Sequence, residues 1–410
     1  MSTQTDRNVL RELAGQVAEI AARPIQRQRI ALWKDFNALR PRRPMVLCFP
    51  EGGWRDLLTE ADCQCQDPRL RQWELALRRR LYHARCINDD QPIMPWFKLG
   101  WVLNISDYGL KETYRRTEAA GSHVWDAPIK GPADMKKLRP RSFAVDRAAS
   151  AANLERAAEV FGDLLQVRRH HHIGWPASLS MQAVFLRGLE QVMVDIYDNP
   201  GLLHELMAYL GGEQQRLLDW LEAEGLLSLN NEPDDYVGSG GLGGTDELPA
   251  PDHAGAARLR DLWGFGESQE FVSVSPEHWR EFVLRYQLPI LERFGLNHYG
   301  CCEPLDRKYD ILFAEVPRLR RLSISPWCDL PLAARTLGSR YIFSWKPAPS
   351  MICAPRVNWP EVERVTRGTA ALARAHGCCL EMVMKDTHTF QGESSRPGEW
   401  VKLALAAAGA

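Results

Sequence analysis

The sequence predicts an α/β protein, a (β/α)8 TIM barrel with an N-terminal helical and mixed extension. Three observations lead there. Eight short apolar runs of four to six residues recur along the chain, helical patterns fill most of the gaps between them, and the residues able to do chemistry fall directly after the runs. Continuous apolar strands are the mark of a parallel sheet covered on both faces. Eight strand–helix units close most simply into a barrel; a doubly wound open sheet is the competing architecture.

The elements follow in order. Apolar residues at helical spacing predict helices over Asp6–Ala22 and Pro24–Leu39, ahead of the first strand, Met45–Phe49. Residues 1–43 are therefore expected to form a helical extension, and residues 44–410 the barrel, with an insertion around 55–140. The insertion opens on an Arg-rich helix, Leu70–Leu81, and carries a short strand near Phe97–Ile105. Strands are then expected at Leu164–Val167, Leu226–Leu229, Glu270–Val274, Leu296–Tyr299, Arg321–Ser325, Tyr341–Trp345 and Leu380–Met384. Helices separate most of them: Leu186–Ile196, Leu202–Glu222, Pro276–Phe294, Tyr309–Phe313, Asp329–Leu337 and Pro360–His376. The Gly-rich stretch Gly238-Ser239-Gly240-Gly241-Leu242-Gly243-Gly244 does not lead from a strand into a helix, as a dinucleotide cradle would. It runs into Thr245–Pro251, which holds two prolines, and is expected to be a flexible active-site loop.

Composition excludes several classes. Lys and Arg number 51 against 52 Asp and Glu, for a net charge of -1, which gives no cationic surplus for a nucleic-acid backbone. With 14 Trp, 13 Phe and 10 Tyr in 410 residues, the chain has ample surface to bury, so disorder is excluded. No stretch approaches the ~18 uninterrupted apolar residues of a membrane span. The N-terminus alternates charged and apolar residues like an amphipathic helix, without the apolar core of a signal peptide. Ten cysteines include two adjacent pairs, Cys301-Cys302 and Cys378-Cys379. Adjacent cysteines rarely bond to each other, so reduced thiols in a cytoplasmic protein are expected.

In a barrel, the chemistry gathers where strands end. Those positions hold Glu51, then His170-His171-His172, Asn230-Asn231 with Asp234-Asp235, Cys301-Cys302-Glu303, Trp327 and Asp329, Trp345-Lys346, and Lys385-Asp386-Thr387-His388. Glu267, Gln269 and Glu270 precede their run, but join the same face if the strand is instead Asp261–Phe265. A zinc site needs three N, S or O ligands and an open position. Cys301 or Cys302, a carboxylate such as Glu267 or Glu270, and His388 supply them. A rival set pairs His298 and Cys301 or Cys302 with Cys378 or Cys379. Yet Cys379 starts its strand and Asp386 ends it, about 23 Å away at ~3.3 Å per residue, so that second pair is expected to be structural.

Asp261-Leu-Trp-Gly-Phe-Gly-Glu-Ser-Gln-Glu270, Leu296-Asn-His-Tyr-Gly-Cys-Cys-Glu-Pro304, Ser323-Ile-Ser-Pro-Trp327 and Met382-Val-Met-Lys-Asp-Thr-His388 resemble segments of the uroporphyrinogen decarboxylase superfamily, as does Val194-Asp-Ile-Tyr-Asp-Asn-Pro200 before Leu202–Leu210. The likeness runs in order from about residue 120 to the end. It implies a (β/α)8 barrel and one of two chemistries: cofactor-free decarboxylation of a porphyrinogen, or methyl transfer between a substrate and a corrinoid protein or thiol, usually with zinc. The decarboxylases carry an Arg-rich segment for the porphyrinogen carboxylates, whereas here Arg40-Pro-Arg-Arg-Pro-Met45 leads into Val-Leu-Cys-Phe-Pro-Glu-Gly-Gly-Trp54, with an acid at Glu51. The chain looks closer to the divergent methyltransferase-like branch. In the zinc members the ligand pattern is His-x-Cys-Gly with a later Cys; Tyr299-Gly-Cys301-Cys302 matches it at Cys301 alone.

The resemblance thus implies a methyltransferase-like enzyme that moves a methyl group from a small O- or N-methyl substrate to a corrinoid protein or thiol. The alternative is a decarboxylase-like lyase. Zinc, held by Cys301, Cys302, Glu267 and His388, would act as a Lewis acid on the substrate heteroatom or lower the pKa of a substrate thiol. Glu270, Asp386, His388 and Lys346 are the candidate catalytic groups. Glu51, His172, Asn231, Gln269, Trp327 and Trp345 are the candidate substrate contacts, the two Trp as apolar walls. A cobalamin-bearing partner protein would dock on the open face.

Overall fold

A computed structural model describes residues 4–116 and 123–409. Its strands are β1 (Met45–Cys48), β2 (Trp96–Leu99), β3 (Val102–Ile105), β4 (Thr113–Arg116), β5 (His123–Asp126), β6 (Phe143–Asp146), β7 (Gln166–Arg169), β8 (Trp263–Gly266), β9 (Leu296–Tyr299), β10 (Leu319–Ile324), β11 (Ile342–Trp345) and β12 (Cys379–Met384). Six of them form one sheet in the order β1-β12-β11-β10-β9-β8, parallel throughout. β2 and β7 form a separate parallel pair, and Ala177 makes a single parallel bridge to Gly266 at the β8 edge. The α/β class and the parallel sheet agree with the sequence. Among the described residues the regular ladder runs through six strands, not through a closed ring of eight. Residues 102–146 contribute two antiparallel pairs, β3 with β6 and β4 with β5.

Two expected strands are absent. Glu270–Val274 is not extended: a short 3-10 turn spans Gln269–Phe271, and the strand is Trp263–Gly266, within the alternative Asp261–Phe265. Its glycines explain the choice. A Cβ on Gly264 would stand 2.5 Å from the Phe294 ring, and one on Gly266 would stand 2.9 Å from the Tyr299 ring. Only a Trp-Gly-Phe-Gly strand lets those two rings close over it. Leu226–Leu229 buries Leu226 and Leu227 but joins no ladder. The side chain of Asn230 pairs with both backbone groups of Trp263 (2.8 and 3.0 Å), taking the place of strand pairing.

Alternation along the strands sends residues to two different environments. Val46, Cys48, Leu322, Ile324, Phe343, Trp345, Leu380, Met382 and Met384 join the large core shared with the surrounding helices. On the other face Met45, Leu47, Ile342, Cys379 and Val383 pack against Trp33 and Phe36 of the helix Pro24–Asn37, and against Leu242. That face also carries Arg321, Ser323, Ser344, Lys346 and Glu381, every one buried. The expected helices are present, with ends displaced by a few residues; Asp67, Asp329 and Asn358 cap three of them by accepting first-turn N–H groups. No described helix is long and apolar enough to cross a membrane.

Candidate functional site

The parallel strands end on one side of the sheet, and five of them deliver polar residues there. Glu51 follows β1, Glu267 follows β8, Cys301 and Cys302 follow β9, Lys346 follows β11, and Lys385 and Asp386 follow β12. The two thiols are 3.5 Å apart. Cys301 is buried, its N–H bonded to the Glu303 carboxylate at 2.8 Å, while Cys302 is half-buried and lies 3.8 Å from an Asp386 oxygen. The ammonium of Lys385 reaches Asp386 at 3.1 Å. Asp386 in turn donates its backbone N–H to the Glu51 carboxylate at 2.6 Å. Both residues hold left-handed backbone conformations (φ 57° and 47°), which turn the chain sharply at the two strand exits.

The Gly-rich segment is not the flexible loop its composition suggests. Residues 238–244 are buried and folded onto the polar face of the sheet, with a bridge from Tyr236 to Leu242. Gly238 (φ 62°) sits where a Cβ would be 2.3 Å from His298 Nδ1, and Gly240 (φ 117°) where one would be 2.9 Å from Val383. Between them Ser239, fully buried, places its hydroxyl 3.2 Å from Cys301 Sγ and 3.3 Å from Lys385 Nζ. Glycine is used here for close approach, not for mobility. Sequence reasoning missed Ser239; the Gly-Ser-Gly pattern was its only signal.

Electrostatics separate the two thiols. The hydrogen bond from Cys301 holds the Cys302 thiol below its ordinary range, against burial and the Asp386 charge. The same bond, with burial, pushes Cys301 up. Burial opposes the charge on Lys385, but Cys301, Tyr236, Asp386 and Glu51 outweigh it and raise its pKa. Burial also raises Glu51, aided by Asp386 and opposed by Lys385. Lys346 is different: buried and hydrogen-bonded only to Ser344, it is lowered by burial to about 7, with the nearby Lys385 and Arg321 adding to the shift.

The other expected residues disperse. His388 is exposed and lies over Gly52, on the Glu51 side of the mouth. Glu267 is buried beside Glu270 and Glu303, and burial and those two charges raise it. A hydrogen bond with the Ser178 side chain opposes that rise, and Glu270 accepts from Ser180 at 2.7 Å. The N–H of Gln269 bonds the Glu267 carboxylate at 3.0 Å. Asn231 points to the main chain, pinning Thr245 at 3.2 Å and also Leu248, so it fastens a loop instead of lining the mouth. Trp327 is 69% exposed, and Trp345 packs on the helix side of the sheet, so neither walls the mouth. His172 is exposed, while His170 pairs with Asp235 at 3.2 Å.

The zinc set does not assemble. Among the described residues, the one group of three His, Cys, Asp or Glu side chains with all donor atoms within 4.8 Å is His170, Glu232 and Asp235. There Lys98 already supplies the cation, 3.1 Å from Glu232, 2.8 Å from Asp234 and 2.7 Å from Asp235. Cys301 and Cys302 have no third donor within that distance of both. The positive charge beside them is the Lys385 ammonium. The residues at the thiol pair therefore do not fit a zinc ion, which requires three converging protein ligands.

A cleft of about 500 Å³ opens between the segment around Tyr108 and the helix Leu179–Arg187, walled by Tyr108, Trp175, Met181, Gln182 and Phe185. Trp175 packs against Phe265 of β8 at 5.2 Å, and the cleft also reaches Ser178.

No family model matches the sequence, and no curated protein matches it. Among solved structures, a methyltransferase from Methanosarcina mazei aligns over 93% of this chain and 97% of that one, at 10% identity and a TM-score of 0.45. A likeness so distant carries no functional weight.

Proposed function

We propose that this chain is a methyltransferase-like enzyme of the uroporphyrinogen decarboxylase superfamily, with β1, β2 and β7–β12 as an incompletely hydrogen-bonded barrel. It moves a methyl group from a small O- or N-methyl substrate to a corrinoid protein or thiol. One observation carries the reading: a thiol pair, a buried ammonium and two carboxylates meet where parallel strands end, and all of them but Glu51 lie in motifs that run in superfamily order.

The chemistry asked of these residues is modest. When the methyl carbon is attacked, its bond to oxygen or nitrogen breaks and the electron pair stays on that heteroatom. Glu51, exposed at the mouth with its carboxyl held above the ordinary range, gives that atom a proton. Lys385 stabilises the negative charge that develops beside it. The aromatic cleft beside Phe265 is suited to the apolar part of the substrate. No step is assigned to zinc.

The test is to incubate the protein with reduced cobalamin and a panel of methyl ethers and methylamines, following loss of the reduced cobalamin absorbance. Turnover with at least one donor, cut by a hundredfold or more in Glu51→Gln (roughly the loss of one general acid), is the expected result. Release of carbon dioxide from a carboxylated substrate, with no methyl transfer from any donor, would move the chain to the lyase reading.

A further inference from the structure

We infer that Cys302 is a nucleophilic sulfur, a covalent-modification site for soft carbon electrophiles, and that Lys385, Ser239 and Cys301 form a chain of donors that activates it. The inference goes beyond the reading above, which gives neither cysteine a step, and concerns the same site. The superfamily resemblance gives Cys301 only as a zinc ligand; the geometry gives Cys302 a role of its own.

The argument is one of donors and acceptors. Lys385 has only protons to give, and one goes to the Ser239 hydroxyl oxygen at 3.3 Å. That fixes the hydroxyl as a donor toward its other partner, Cys301 Sγ, at 3.2 Å. With its sulfur accepting from Ser239, Cys301 directs its own S–H to Cys302 Sγ at 3.5 Å. Every bond in the series points the same way as far as Cys302, whose own S–H is aimed at Asp386 Oδ2, 3.8 Å away. The series is buried up to its last member: Ser239 is fully covered, Cys301 is 3% exposed, Lys385 is 4% exposed, and only Cys302 is half-open. A donor aligned in a low-dielectric setting stabilises negative charge more than the same donor in water.

The charged groups around Cys302 are Lys385, Asp386 and Glu303. Asp386, at 3.8 Å, opposes a negative sulfur, but its other oxygen is matched by Lys385 at 3.1 Å. Glu303 is held by the N–H groups of Cys301 and Ser268, both at 2.8 Å. In the reaction the Cys302 thiol gives its proton to solvent, the sulfur forms a bond to carbon, and the bond from that carbon to its leaving group breaks with the electron pair departing on the leaving group.

The test needs neither substrate nor corrinoid, so it stands apart from any failure of methyl transfer. The full chain is treated with limiting iodoacetamide at neutral pH, and all ten cysteines are followed by peptide mass mapping. Cys86, exposed and outside the site, is the reference thiol in the same tube. Cys302 is expected to react about tenfold faster than Cys86, because the rate follows the thiolate, which the aligned donors stabilise. Ser239→Ala and Cys301→Ala should bring the Cys302 rate down toward that of Cys86, while Cys301→Ser, which keeps a donor, should preserve most of it. Buried Cys48 and Cys379 must stay unlabelled in each variant, which certifies its fold. Labelling of Cys301 ahead of Cys302, or a wild-type Cys302 no faster than Cys86, overturns the inference without any variant. A folded Ser239→Ala with an unchanged ratio overturns the donor chain.

Discussion

Arg321 on β10 and Glu381 on β12 form an ion pair at 3.1 Å with neither side chain exposed, although β11 runs between their strands. The contact is possible because β11 offers a small residue at that level: Ser344 lies in register with Glu381 and donates its hydroxyl to that carboxylate. Arg321 is further held by Asn37 Oδ1 at 2.7 Å and the Leu242 carbonyl at 3.1 Å. The pair thus ties the N-terminal helix, the sheet and the Gly-rich segment together below the mouth. Removing one partner leaves an uncompensated buried charge. Glu381→Gln should cost about 3–5 kcal/mol in chemical denaturation, and the double variant Arg321→Met with Glu381→Leu less than the two single losses added together.

The Gly-rich segment gives a second prediction. At Gly238 an alanine must adopt a left-handed conformation and also place its Cβ 2.3 Å from the His298 ring. Overpacking and backbone strain together should cost about 2–4 kcal/mol in urea unfolding. The same change withdraws Ser239 from Cys301. By contrast Gly255, also at positive φ (84°) but with nothing within 4 Å of a Cβ, should lose only about 1 kcal/mol on the same substitution.

The contrast between these glycines shows what the sequence could and could not say. The parallel sheet and the polar residues after β1, β9, β11 and β12 were legible because apolar runs of four to six residues report burial on both faces. The β8 strand was read a few residues late because Trp-Gly-Phe-Gly looks like a turn until Phe294 and Tyr299 are seen packing into its gaps. The Gly-rich segment was misjudged for the related reason that glycine signals either mobility or close approach, and only the packed neighbours tell which. Trp345 and Asn231 follow strand or strand-like segments as expected of a mouth. Which way a residue faces depends on pleat register, and one step turned Trp345 to the helix side. The separation of His388 and Glu267 from the thiols was not legible at all, since it depends on how the segments after β8 and β12 turn.

Lys346 carries a prediction about pH. Its amine is lowered by burial to about 7, whereas in the unfolded chain it titrates at about 10.4. Between those values the unfolded chain binds the extra proton, so this residue makes stability rise with pH above about 7. Lys308, lowered by burial to about 8, acts in the same direction over a narrower window. Buried thiols such as Cys48, which burial raises, act oppositely once their unfolded counterparts ionise near 8.5. The Lys346 share is isolated by difference: Lys346→Met should be more stable than the wild type at pH 7, and the gap should shrink as pH is raised to 9. A gap independent of pH would mean that the amine keeps its proton inside the protein.

Lys98 supplies the last prediction, and it concerns metal. Its ammonium stands among Glu232, Asp234 and Asp235, and it keeps its proton because the attraction of those carboxylates outweighs burial. Arg168 is the other cation at the cluster, beside the His170 imidazole. In Lys98→Met three carboxylates face one another with too little positive charge, and the fold should lose about 2–4 kcal/mol at pH 7. Asp234, which burial already raises, loses the lysine that opposed that shift and holds its proton at higher pH than in the unfolded chain, so the variant should recover relative to the wild type as pH falls from 7 toward 4. The same vacancy lets His170, Glu232 and Asp235, whose donor atoms already lie within 4.8 Å, converge on a divalent ion. Added calcium or zinc should therefore raise the melting temperature of Lys98→Met while leaving the wild type unmoved at this cluster. A wild-type protein that gains as much as the variant would show that a metal can displace the ammonium, and that the lysine is a ligand-exchange partner instead of a fixed counter-ion.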